Sequence, residues 1–182
     1  MDINSLSEEE RKEIIEYGLT RSKVFIGGIL VTLVIGVFFG VFIQSVIFLL
    51  VFSSLRRYAG GYHADSENKC YAISFIIIIL SFWCIKSIEY DVRTCFLMQA
   101  FSLFIILLLS PVENKNRKLE ICERKKYGKK TKRTAIILFL LSILLYVFNV
   151  DNIIPPIVIA YLLVTILLIA GYIKNNFEKI NL

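Results

Sequence analysis

The chain is poor in most of what a soluble enzyme uses. Of its 182 residues only 20% are charged, histidine and tryptophan each occur once, methionine twice and proline three times. So little charge cannot clothe a soluble globule, and the mean hydropathy of +0.69 agrees. One histidine and four cysteines, with no Cys-x-x-Cys pair, exclude a structural zinc site and make no disulfide framework. Neither a metal nor another cofactor is expected. The net charge of +6 is not that of a nucleic-acid binder. Its basic residues sit beside apolar runs, where positive-inside topology and anionic membrane lipids account for them. A removable signal peptide is not expected either, because the residues before Val24 include Glu8, Glu9, Glu10, Arg11, Lys12, Glu13 and Glu16.

What is abundant is aliphatic and aromatic side chain, 57% of the chain being hydrophobic, in runs that suit a bilayer. The expected architecture is all-α: a single membrane-embedded domain over 1–182, with six transmembrane helices, cytoplasmic termini and an amino-terminal interfacial helix. That first helix is expected over 5–19, with Ser5 and Glu8 as a capping box and Ile3, Leu6, Ile14 and Tyr17 able to share one face. A solvated lead-in to the first span is the plainer alternative. The apolar run 24–52 would make one helix of about 43 Å, against a hydrocarbon core near 30 Å. Two helices breaking near Gly36 to Gly40 fit better. Further spans are expected over 70–86, 94–110, 134–149 and 156–173, with a basic loop over 111–133.

Charge supports the break. With the amino terminus in the cytoplasm, six crossings put all but Lys86 and Arg93 of the 21 basic residues inside. One long first helix would scatter them over both faces. The six-span topology makes this a multi-pass cell-membrane protein and places residues 56–70 and 111–133 at the cytoplasmic surface.

Between two apolar segments lies a polar island, Arg56-Arg57-Tyr58-Ala59-Gly60-Gly61-Tyr62-His63-Ala64-Asp65-Ser66-Glu67-Asn68-Lys69-Cys70. It holds the lone histidine, a glycine pair and a cysteine at the head of the next span. A helix amino terminus and a nearby imidazole both favour a thiolate. In one straight helix His63 and Cys70 would lie about 10 Å apart along the axis, so joint action requires the chain to fold back. Gly60, Gly61 and the Asp65-Ser66 turn formers are where that is expected. An exposed histidine and a small apolar cysteine are the bland alternative.

The stretch Arg57-Tyr58-Ala59-Gly60-Gly61-Tyr62-His63-Ala64, with Cys70 seven residues after the histidine and Arg124-Lys125-Lys126-Tyr127 before the last two spans, resembles the accessory gene regulator B (AgrB) family of Gram-positive bacteria. Its members are membrane cysteine endopeptidases of quorum sensing. The resemblance implies that Cys70 is the nucleophile and His63 its general base. The implied substrate is an AgrD-like propeptide, whose carboxy-terminal tail is removed and whose signal portion is joined to Cys70 as a thioester. The peptide's own cysteine then closes a thiolactone.

Around that pair, Arg56 and Arg57 are candidates to receive an acidic tail or to bind lipid phosphates. Amides near Gly60 and Gly61, or the first turn beyond Cys70, are candidates for an oxyanion site. Asp65 and Glu67 are candidates to orient His63. A homodimer is compatible with a chain of this kind. The rival reading is a non-enzymatic transporter or scaffold. Against it, no span carries a charge deep within it, Gln44 and Trp83 being the best polar candidates.

Overall fold

A computed structural model describes residues 7–62, 66–87, 89, 91–113 and 120–180. It is all-helical among these residues: α1 (Glu8–Phe38), α2 (Phe42–Ala59), α3 (Glu67–Ser87), α4 (Val92–Leu109), α5 (Ile121–Val147) and α6 (Ile154–Ile180). Ser5 of the expected capping box lies outside the described residues. From Glu8 onward the amino-terminal segment is not a separate helix. It runs unbroken into the first span, because nothing between residues 8 and 38 interrupts the helical ladder.

The long apolar run does divide. Gly40 takes φ +71°, which a glycine reaches without steric cost, and the amide of Val41 donates to Gly36 O at 2.8 Å. Gly36 is also where the two arms of the hairpin meet, since a Cβ there would lie 2.5 Å from Ser45 Cβ.

The segment 111–133 differs from expectation. From 121 onward it is the first half of α5, opened by a capping box between Glu120 and Glu123. Lys, Arg and Glu are good helix formers, and their charge hid a helix that reads as a loop.

α6 is the central element. Ile157, Val158, Ala160, Tyr161, Val164 and Leu168 are all essentially inaccessible, and the helix packs along both α2 and α4. Pro155 and Pro156 stand in its first turn, where no amide bond is lost. α5 closes the body against α2 and α4, and α1 lies on α2. The joints between α4, α5 and α6 are polar: Ser142 Oγ donates to Gln99 Oε1 at 2.8 Å, Thr165 Oγ1 to Ser102 O at 3.3 Å, and the Tyr161 hydroxyl to Ala135 O. Such bonds link helices where apolar contact alone gives little advantage over lipid. The buried amide of the body is thus Gln99, fully inaccessible, and not Gln44 or Trp83, the latter 54% exposed.

Among the described residues, five helices are long and apolar enough to cross a membrane: α2, α4, and the stretches Arg11–Phe38 of α1, Lys69–Ser87 of α3 and Asp151–Phe177 around α6. The apolar half of α5, residues 134–147, is about 21 Å long. The chain is therefore a multi-pass membrane protein.

Candidate active site

Helix α2 ends at Ala59 because Gly60 turns to φ +72°, ψ −146° and Gly61 to φ +113°, backbone states that favour glycine. The chain then runs as a short strap, Gly60-Gly61-Tyr62, across the end of the bundle. One edge is paired with the segment after α4. The amide of Val112 donates to Ala59 O at 2.9 Å, and that of Gly61 to Val112 O at 3.3 Å. The other edge rests on α6, where the Tyr62 amide donates to Leu167 O at 2.8 Å. This approach requires Gly171, since a Cβ there would lie 2.6 Å from the backbone of Gly61 and Tyr62. Gly60 is equally constrained, because a Cβ would collide with the Val112 carbonyl.

Arg56, one turn before the end of α2, closes the strap from beneath. Its Nη1 donates to Gly60 O and its Nη2 to Tyr62 O at 2.6 Å. The two prongs of one planar guanidinium hold both ends of a three-residue turn, a task that suits arginine. Arg56 is itself half-buried. Arg57 instead points to the exposed side, with its guanidinium 5.7 Å from the Tyr58 ring centre. That ring also receives Lys130 Nζ at 4.8 Å and lies 5.8 Å from the ring of Tyr127. Lys174 Nζ stands 5.2 Å from the Tyr62 ring, Asn175 Nδ2 donates to Glu113 O at 2.7 Å, and Arg124 pairs with Glu113 at 3.6 Å. The ends of α2, α4 and α6 and the start of α5 are thus tied together around the strap.

Cys70 is a half-buried free thiol in the first turn of α3. The helix begins at Glu67, three residues before the cysteine, with Ser66 at its cap. Ser66 O accepts from the Cys70 amide at 3.0 Å, and Ser66 Oγ from the Lys69 amide at 3.4 Å. His63 and Asp65 lie outside the described residues.

Of the residues singled out in sequence, Arg56, Gly60 and Gly61 come together in the strap, Cys70 lies in the first turn of α3, and Arg57 is on the exposed side. The Gly61 amide is committed to Val112. Sequence reasoning missed the partners Val112, Leu167 and Gly171. A glycine near the end of an apolar helix was the one signal for the last. Cys84, Cys95 and Cys122 are free thiols spread over α3, α4 and α5. Among the described residues no group of histidine, cysteine and carboxylate side chains could hold a metal ion.

Comparison with known proteins agrees in extent with this site. The model of the family described as accessory gene regulator B matches residues 2–176. AgrB-like protein 2 of Clostridium perfringens is 35% identical over 150 residues, covering 76% of this chain and 70% of its own. The accessory gene regulator protein B of Staphylococcus aureus is 30% identical over 104 residues, 56% of this chain and 55% of its own. That of Staphylococcus intermedius is 27% identical over 116 residues, 63% and 60% respectively. No solved structure matches.

Proposed function

The chain belongs to the accessory gene regulator B family, and from that premise we propose that it is a membrane cysteine endopeptidase acting on an AgrD-like propeptide. The observation that carries the reading is the turn at the end of α2, where Arg56 holds the Gly60 and Tyr62 carbonyls just before His63 in the sequence, ahead of the helix whose first turn carries Cys70. A nucleophile and base separated by seven residues need such a fold-back to meet.

In the proposed reaction His63 takes the Cys70 proton and the sulfur attacks the carbonyl carbon of the scissile amide. As the C–N bond breaks, the proton passes to the leaving amine and the carboxy-terminal tail departs. The remaining peptide is held as a thioester. Its own cysteine thiol then attacks the same carbonyl, forming the thiolactone and returning the proton and the free thiol to Cys70. Ring closure competes with water, and an intramolecular thiol held near the thioester has the advantage of high effective concentration. The active segment would face the cytoplasm, where the thiol stays reduced.

The test is intact-mass spectrometry of lipid-reconstituted protein mixed with a cognate propeptide. The wild type should gain a hydroxylamine-sensitive adduct of the truncated peptide. Cys70→Ala should show neither adduct nor tail release, and His63→Ala almost none, while Cys84→Ala, Cys95→Ala and Cys122→Ala remain active. Tail release by Cys70→Ala would sink the assignment.

A further inference from the structure

We propose that the groove between the second half of α1 and the first half of α3 is a specificity subsite for bulky apolar side chains on the acyl side of the scissile bond, a proposal that rests on the peptidase reading of Cys70. The groove encloses about 610 Å³ and is walled by Gly27, Gly28 and Val31 on α1 and by Tyr71, Phe75 and Ile78 on α3. A space of this size holds several side chains.

Its position points to the occupant. Ser74 also lines it, and Ser74 is four residues after Cys70, on the same helical face one turn along. Cys70 therefore lies one helical turn before the groove's lining on that face. From there the groove follows α3 for the length from Tyr71 to Ile78, about 10 Å. A peptide whose carbonyl is at the sulfur can lay adjoining side chains into it without further movement.

The packing of the two walls gives a second reason. α3 is embedded at its far end, where Ser81 and Phe82 are buried and Phe82 meets Phe48 edge-on at 5.6 Å. At its Cys70 end every residue from 71 to 76 is exposed. α1 repeats the pattern, with Thr32 buried and residues 22–26 exposed. Both helices are held at one end and stand clear at the other, beside the nucleophile. A Cβ at Gly27 or Gly28 would meet nothing within 4 Å, so this part of α1 borders open space.

The chemistry selects the acyl side. The tail must leave into water, whereas the thioester must stay seated and shielded until the peptide's own thiol attacks. An apolar groove serves the part that stays.

The test offers reconstituted protein three synthetic propeptides that differ only in the two residues before the cleaved bond, Leu-Phe, Ala-Ala or Trp-Phe. The wild type should prefer Leu-Phe by about tenfold or more in kcat/KM, the scale of an apolar pocket. Gly28→Leu should erase that preference by lowering only the Leu-Phe rate. Alkylation of Cys70 by iodoacetamide and cleavage of the Ala-Ala peptide should be unchanged, as expected of a helix that gains a side chain without a clash. From the opposite wall, Phe75→Ala should move the preference toward Trp-Phe. Retained Leu-Phe preference in both variants, or equal loss on all three peptides as displaced lipid would give, overturns the subsite. Absence of a Cys70 thioester in the wild type with any of the three sinks the peptidase reading and the subsite with it.

Discussion

Arg56 shows how much one side chain can decide. Anchoring lipid phosphates needs only a positive charge, which lysine supplies as well. Holding Gly60 O and Tyr62 O together needs two donors in a fixed plane, which lysine lacks. Arg56→Lys should therefore leave a half-buried carbonyl unpaired, at a cost of about 1–3 kcal/mol. Thioester formation, followed by intact mass, should fall about tenfold or more, since small misplacements of a reacting group are costly. Full activity in Arg56→Lys would return this residue to the role of a lipid anchor. Gly171→Ala probes the same strap from α6. Alanine gains about 1 kcal/mol of helix propensity, yet its methyl would sit 2.6 Å from the Gly61–Tyr62 backbone. The expected outcome is a strap pushed off α6 and slower thioester formation despite the better helix former.

Among the elements, the α1–α2 hairpin depends on close approach at Gly36. Gly36→Val would drive a side chain into Ser45, and overpacking of this kind costs about 1–3 kcal/mol. The thermal midpoint in detergent should drop, whereas Gly18→Ala, which meets nothing within 4 Å, should hold or raise it. This hairpin was legible in the sequence, because a 29-residue apolar run is too long for one crossing and basic residues separate cleanly only if it breaks. The polar island was legible too, since glycine pairs, a lone histidine and a cysteine stand out against apolar flanks. The first half of α5 was not, because a run of Lys and Arg carries no apolar period to set against a loop. Nor were Val112 and Leu167 legible as partners of the strap. They offer only backbone carbonyls and an amide, groups that every residue has, and chain proximity alone makes them specific.

At the scale of the whole molecule the open quantity is the number of crossings, and it turns on α5. Its apolar half is only about 21 Å long, short for a hydrocarbon core near 30 Å. Its packing nevertheless follows α4 from end to end. Gly128 lies against Pro111 beyond the last turn of α4, Ser142 meets Gln99 midway, and the ring of Tyr146 meets Phe96 near its first turn at 5.6 Å. A helix antiparallel to α4 over that whole length crosses wherever α4 crosses. The shortfall is met by Lys132 and Arg133, whose long stems can reach back to the interface, or by local thinning of the bilayer. Six crossings and a cytoplasmic amino terminus then put Glu89 and Asn152 outside, and Glu113 and Asn176 inside. In a variant with Cys70, Cys84, Cys95 and Cys122 all replaced, single cysteines at 89 and 152 should react with an impermeant maleimide on intact cells. Those at 113 and 176 should react only after permeabilisation. Labelling at 89 but not at 152 would mean that α5 turns back within the bilayer. The basic half of α5 and the carboxy terminus would then lie on opposite faces, and the ties of Lys174 to Tyr62 and of Asn175 to Glu113 could not form.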